Sequence, residues 1–115
     1  MKYLLMMFGE ADWTENYTEE DLATDIAAFS AFEEYLQSRD IPYSGEALHS
    51  ASASSTVRHG PDAITVTDGP FVDLKEGIGG FYLIEVDTMD DAINIAKRLP
   101  STLAVEVRPV YPTIS

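Results

Sequence analysis

Two short stretches constrain this chain more than any others: Lys2-Tyr3-Leu4-Leu5-Met6-Met7-Phe8 and Phe81-Tyr82-Leu83-Ile84-Glu85-Val86. Each is a near-continuous apolar run of strand length, without the alternation of a strand that has one wet face. Along the first, Tyr3, Leu5 and Met7 interleave with Leu4, Met6 and Phe8; along the second, Phe81 and Leu83 interleave with Tyr82, Ile84 and Val86. Side chains alternate across a strand, so both faces of both strands are apolar and both must be covered. The two runs are therefore predicted as the central strands of a sheet.

The remaining elements follow from periodicity and punctuation. Gly9 marks the predicted end of the first strand, and Leu22, Ile26, Phe29, Phe32 and Leu36 then recur at helical spacing behind a Thr18-Glu19-Glu20-Asp21 capping box, with Pro42 forbidding continuation. An edge strand is expected over 42–48, and the small residues Ser50 to Ser55 read as a mobile loop. Thr56-Val57-Arg58 and Ala63 to Thr67 flank the turn-rich His59-Gly60-Pro61-Asp62 and predict a hairpin. Thr88 caps a short helix with Ala92, Ile95, Ala96 and Leu99 inward and Lys97 and Arg98 in its last turn, and Ala104 to Val110 alternates as a last strand.

The order is strand, helix, strand, inserted hairpin, strand, helix, strand: an α+β, ferredoxin-like split βαβ (βαββαβ) antiparallel sheet with two helices on one face. Right-handed crossovers place the two apolar runs in the middle. The second face then needs a lid, either the hairpin or a second subunit.

Composition bounds the function. With 115 residues the chain suits one domain over 1–115, and the absence of Cys removes disulfides, thiolate metal sites, thiol nucleophiles and iron–sulfur clusters. A formal charge of −13 repels phosphate backbones and anionic membranes, so no direct nucleic-acid or membrane partner is expected. No apolar run is long enough to span a membrane and no signal peptide is evident, which reads as cytoplasmic.

Few residues suggest chemistry. Glu106 and Arg108, two apart on a strand, share a face and form either a structural ion pair or a site for a carboxylate or oxyanion. Arg58 on the hairpin is a second candidate cation. Asp68, in Asp68-Gly69-Pro70-Phe71, either caps a turn or reaches a cleft, and Glu76 is a general base only if burial raises its pKa. Gly77, Gly79 and Gly80 precede a strand and so are not a phosphate loop. His49 and His59 lack ligand spacing, the serines beside His49 lack a nucleophile elbow, and no metal or cofactor is called for. Trp13 reads equally as a packing anchor or a ligand platform.

Thr67-Asp68-Gly69-Pro70-Phe71, followed by Lys75-Glu76 and Gly79-Gly80-Phe81-Tyr82-Leu83-Ile84, resembles the DGPF-domain proteins, a branch of the YCII-related family. Met1 to Leu5, Thr56-Val57-Arg58 and Ala104 to Val110 extend the likeness over nearly the whole chain. The resemblance implies a homodimer of the dimeric α/β-barrel type with a cleft between sheet and partner. It also implies a His–Asp pair in the wider group, at positions held here by Thr18 to Asp21 and Arg98 to Pro100. Candidate catalytic residues are then Glu76, Glu106 and Asp68, and candidate ligand-binding residues Arg58, Tyr82 and Arg108. Two functions stand open: an enzyme or binder of a small molecule, and, from the same resemblance, a non-catalytic partner of an extracytoplasmic-function sigma factor.

Overall fold

β1 (Lys2–Glu10) pairs antiparallel with β5 (Glu76–Glu85) on one side and β6 (Ala104–Pro109) on the other. β2 (Tyr43–Ala47) closes the far edge of β5, so the sheet has the order β2-β5-β1-β6 and the two apolar runs lie at its centre. The structure, a computed structural model, describes residues 1–100 and 103–112. α1 (Glu19–Ser38) and α2 (Met89–Ala96) cover one face of this sheet: Phe32, Leu36, Ala92 and Ile95 pack with Tyr3, Leu5, Met7, Tyr82 and Ile84. Leu5, Leu36 and Ile84 are the most deeply buried, each worth about 1.5–3 kcal/mol in removed apolar surface. The α+β arrangement is consistent with a ferredoxin-like fold.

Both helices start with the same device. The Thr18 hydroxyl accepts from the Asp21 N–H at 3.0 Å while the Asp21 carboxylate accepts from the Thr18 N–H at 3.0 Å, and the Thr88 hydroxyl accepts from the Asp91 N–H at 3.1 Å. α1 ends before the proline expected to stop it: Asp40 turns left-handed at φ 54°, and the amides of Asp40 and Ile41 bond back to Gln37 and Leu36. This is a Schellman cap, which satisfies carbonyls the helix leaves open.

Several expectations need correction. β1 continues through Gly9 to Glu10, and β5 begins at Glu76, so the glycine run belongs to a strand and not to the loop before it. Ser50 to Ser55 is not a mobile loop: it holds a turn of 3₁₀ helix at Ala51–Ala53, the Ala51 N–H bonds to Ala11 O, and Ser50 is buried. Lys97 caps α2 and Arg98 lies beyond it. In α1 the apolar stripe is buried only at Phe32 and Leu36, while Leu22 and Ile26 are 49% and 58% exposed. The first turns of α1 carry the stripe without neighbours to bury it.

The inserted hairpin is β3 (Ser55–His59) and β4 (Ile64–Asp68), a two-stranded ribbon forming a sheet of its own. Its base is pinned where the Thr56 hydroxyl donates to Gly69 O at 2.7 Å and the Gly69 N–H to Ser54 O at 2.7 Å. Gly69 has φ 96°, a left-handed conformation that favours glycine at the start of the Gly69-Pro70 turn. The ribbon leaves the chain extended: the radius of gyration is 16.1 Å against ~13 Å for a compact domain of this length. Exposed area is 8199 Å² against ~6,200 Å² for a folded monomer of this mass.

Candidate functional site

Among the described residues, no helix covers the second sheet face. Register places Leu4, Met6 and Phe8 of β1 beside Leu83, Phe81 and Ile78 of β5 on that side, flanked by Ser44 and Glu46 of β2 and by Glu106 and Arg108 of β6. The middle of the open face is therefore apolar and its edges polar.

One irregularity decides what the end of this face contains. Met7 pairs with Gly80 but Phe8 with Ile78, leaving Gly79 as an extra residue, a β-bulge on β5. Above the bulge the even-numbered Tyr82 and Ile84 face the helices; below it the even-numbered Ile78 and Glu76 pair with Phe8 and Glu10 and share their side. An ideal Cβ on Gly79 would sit 3.7 Å from Trp13 Nε1, and that indole N–H is buried without a hydrogen-bond partner among the described residues. Trp13 also packs edge-on against Tyr17 at 5.0 Å.

Beside the bulge lies a cleft of about 510 Å³. It is lined by Phe8 and Ile78 of the sheet, by Leu48 to Ser50, by Pro70, Val72 and Leu74, and by Glu76 at the start of β5. Apolar walls with a few converging polar groups are the usual composition of a small-molecule site. His49 Nδ1 accepts from the Ser50 N–H at 2.9 Å, which leaves Nε2 as the donor of the neutral ring. Ser50 Oγ is 3.4 Å from that same Nδ1 and 3.0 Å from Ser52 Oγ. The first distance exceeds the roughly 2.5–3.0 Å of a well-formed hydroxyl hydrogen bond. At that distance the imidazole is poorly placed to take the Ser50 proton. A second hollow of about 500 Å³, lined by Tyr35, Arg39, Asp40 and Asp91 among others, lacks comparable apolar walls.

The structure distributes the six sequence candidates over four places. Glu76 lines the cleft. Glu106 and Arg108 form an ion pair with each other on β6, exposed at 44% and 67%, on the same open face. An exposed pair of this kind contributes about 0–1 kcal/mol. Arg58 and Asp68 lie on the ribbon, where the Arg58 guanidinium stacks 4.8 Å from the Phe71 ring and Asp68 pairs with Ser55. The Asp68 carboxylate accepts no hydrogen bond from a backbone N–H among the described residues.

Tyr82 stands apart, on the helix face. Its hydroxyl donates to Glu33 at 2.9 Å and its ring meets Phe32 at 5.0 Å. Burial first, then the bond to the Glu33 carboxylate, pushes its pKa well above the usual phenol range. Tyr82 therefore cannot share a cleft with Arg108 within one chain.

Sequence reasoning missed His49 and Ser50 as cleft residues. The available signal was a histidine followed by small polar residues that no core required. Among the described residues no group of three or more His, Asp or Glu could hold a metal ion. No helix among them is long and apolar enough to cross a membrane.

The sequence is similar to known proteins along nearly its whole length. Residues 1–114 match the YCII-related domain. An uncharacterised protein of Rhizobium meliloti (strain 1021) is 30% identical over 115 residues, covering 96% of this chain and 92% of that protein. On both grounds, the chain belongs to the YCII-related family.

Proposed function

We propose that residues 1–115 form one domain of the DGPF branch, with the split βαβ order, that acts as a cytoplasmic homodimer and binds or transforms a small molecule in the cleft of the open sheet face. The observation that carries the reading is the 510 Å³ cleft itself, mostly apolar in its lining and with His49, Ser50 and Glu76 among its polar lining residues. His49 Nε2, the ring nitrogen not bonded to Ser50, can donate, Glu76 accepts, and the serine hydroxyls do either, which suits a small molecule with an apolar body and a polar end. The dimer reading is supported by the half-buried apolar sheet centre and by ~2,000 Å² of exposed area beyond that of a typical monomer. In such a dimer Arg108 of each subunit borders the joint between the two open faces, where its guanidinium fork is available to an anionic group.

Native mass spectrometry of the purified protein tests both parts. The expected result is a mass of twice 12.7 kDa with a small molecule bound, and loss of that molecule when Ala53→Trp fills the cleft. A ligand retained by the Ala53→Trp variant, or a protein that takes up no small molecule, overturns the cleft reading.

A second reading rests on α1, where exposed Leu22 and Ile26 sit among Glu19, Glu20, Asp21 and Asp25. Such a surface suits a basic amphipathic partner, including a sigma factor, and makes the protein a non-catalytic regulatory subunit. Unaltered partner binding in Leu22→Asp would remove it.

A further inference from the structure

The ribbon has two unlike faces. Val57 lies opposite Val66 and shares its side with Ile64, whereas Arg58 lies opposite Thr65 and Thr56 opposite Thr67. Val57, Ile64 and Val66 are 54%, 64% and 66% exposed, so an apolar face bounded at its ends by His59 and Asp68 meets nothing that buries it. A two-stranded ribbon alone is marginally stable at best in water, and binary patterning of this kind marks a surface built to be covered.

We propose that the β3–β4 ribbon is an exchange arm, whose Val57, Ile64 and Val66 face lies on the second copy of the chain. This rests on the homodimer reading above and specifies which element clasps the partner. Three observations select a second copy as the occupant. The excess of ~2,000 Å² falls within the roughly 1,000–2,500 Å² that each chain of an obligate dimer covers. Each chain also offers an apolar sheet centre that is only half-buried, at Leu4, Phe81 and Leu83, so one molecule supplies both halves of the contact and reciprocal exchange closes under two-fold symmetry. Finally, the middle of the ribbon face is uncharged although the chain carries −13, so contact there escapes the repulsion between copies that the rest of the surface imposes.

Neighbouring residues on opposite ribbon faces give a matched test. Val66→Asp and Thr65→Asp add the same charge to the same strand one residue apart. Sedimentation equilibrium should show the dimer dissociation constant raised at least tenfold by Val66→Asp and changed less than twofold by Thr65→Asp. A Val66→Asp dimer within twofold of the unaltered protein overturns the exchange arm while leaving the homodimer standing. An unaltered protein that is monomeric throughout overturns both.

Hydrogen exchange on the unaltered protein gives the same decision if Val66→Asp does not fold. Amides of residues 55–68 should lose protection on dilution below the dissociation constant, and protection independent of concentration overturns the proposal.

Discussion

Leu4 and Leu5 are adjacent in one strand and live in different surroundings. Leu5 is fully buried against the helices, while Leu4 is half-buried on a face that no helix covers among the described residues. The difference belongs to the layer above each residue and not to the residues, which are identical. Intrachain packing thus satisfies one half of β1, and the other half retains apolar surface that, on the homodimer proposed above, a second copy covers.

The largest expected effect separates these halves directly. Leu5→Ala should cost about 2–5 kcal/mol of unfolding free energy at every protein concentration, the range for a buried leucine truncated to alanine. Leu4→Ala should cost less in dilute protein, and its cost should grow as concentration rises into the dimeric range. Denaturant titrations of both variants at two concentrations check this, and a concentration-independent Leu4→Ala would break the comparison.

A smaller effect concerns the polar contact inside the covered half. Tyr82→Phe removes the bond to Glu33 and should cost about 1.5–3 kcal/mol, the range for hydrogen bonds to charged groups. The folded pKa of Tyr82 lies above its unfolded value near 10, so the contribution is complete below pH 10 and is lost as pH rises beyond it. Stability of the unaltered protein should therefore fall more steeply above pH 10 than that of Tyr82→Phe. Tyr17 adds a parallel loss in both proteins, because burial and its hydrogen bond to Asp25 push its pKa up to about 12. Equal alkaline slopes in the two proteins would show that Tyr82 ionises without penalty.

The smallest effect lies on the open half. Glu10 and Glu76 are cross-strand partners, and like charges placed opposite each other on a sheet are unfavourable. Glu76→Gln should raise stability by roughly 0.2–1 kcal/mol at low salt, and less as salt screens the pair. A destabilised Glu76→Gln would mean that the carboxylate is held by something in the cleft.

The central strands were legible because double-sided apolarity is a property of a single strand, readable at Tyr3 to Phe8 without knowing its neighbours. The helix starts were legible for the same reason: Thr18 and Thr88 act on amides three residues away. Legibility ends where two strands must be known together. Strict alternation along β5 puts Glu76 on the side of Tyr82, and only the pairing of Phe8 with Ile78 reveals that it lies on the other. The exposure of Leu22 and Ile26 is likewise not legible in the sequence, since periodicity shows that a helix has an apolar stripe but not how far the sheet beneath it extends.

The extra residue at Gly79 gives β5 one residue of slack. A single deletion anywhere from Gly77 to Gly79 could be absorbed by drawing that slack in, with Glu76 still opposite Glu10 and the cleft still lined from the same side. A second deletion would find none left, and every residue before it in the strand would turn over. In length, then, this strand tolerates one step and no more, and the chemistry at its end depends on which side of that step the chain stands.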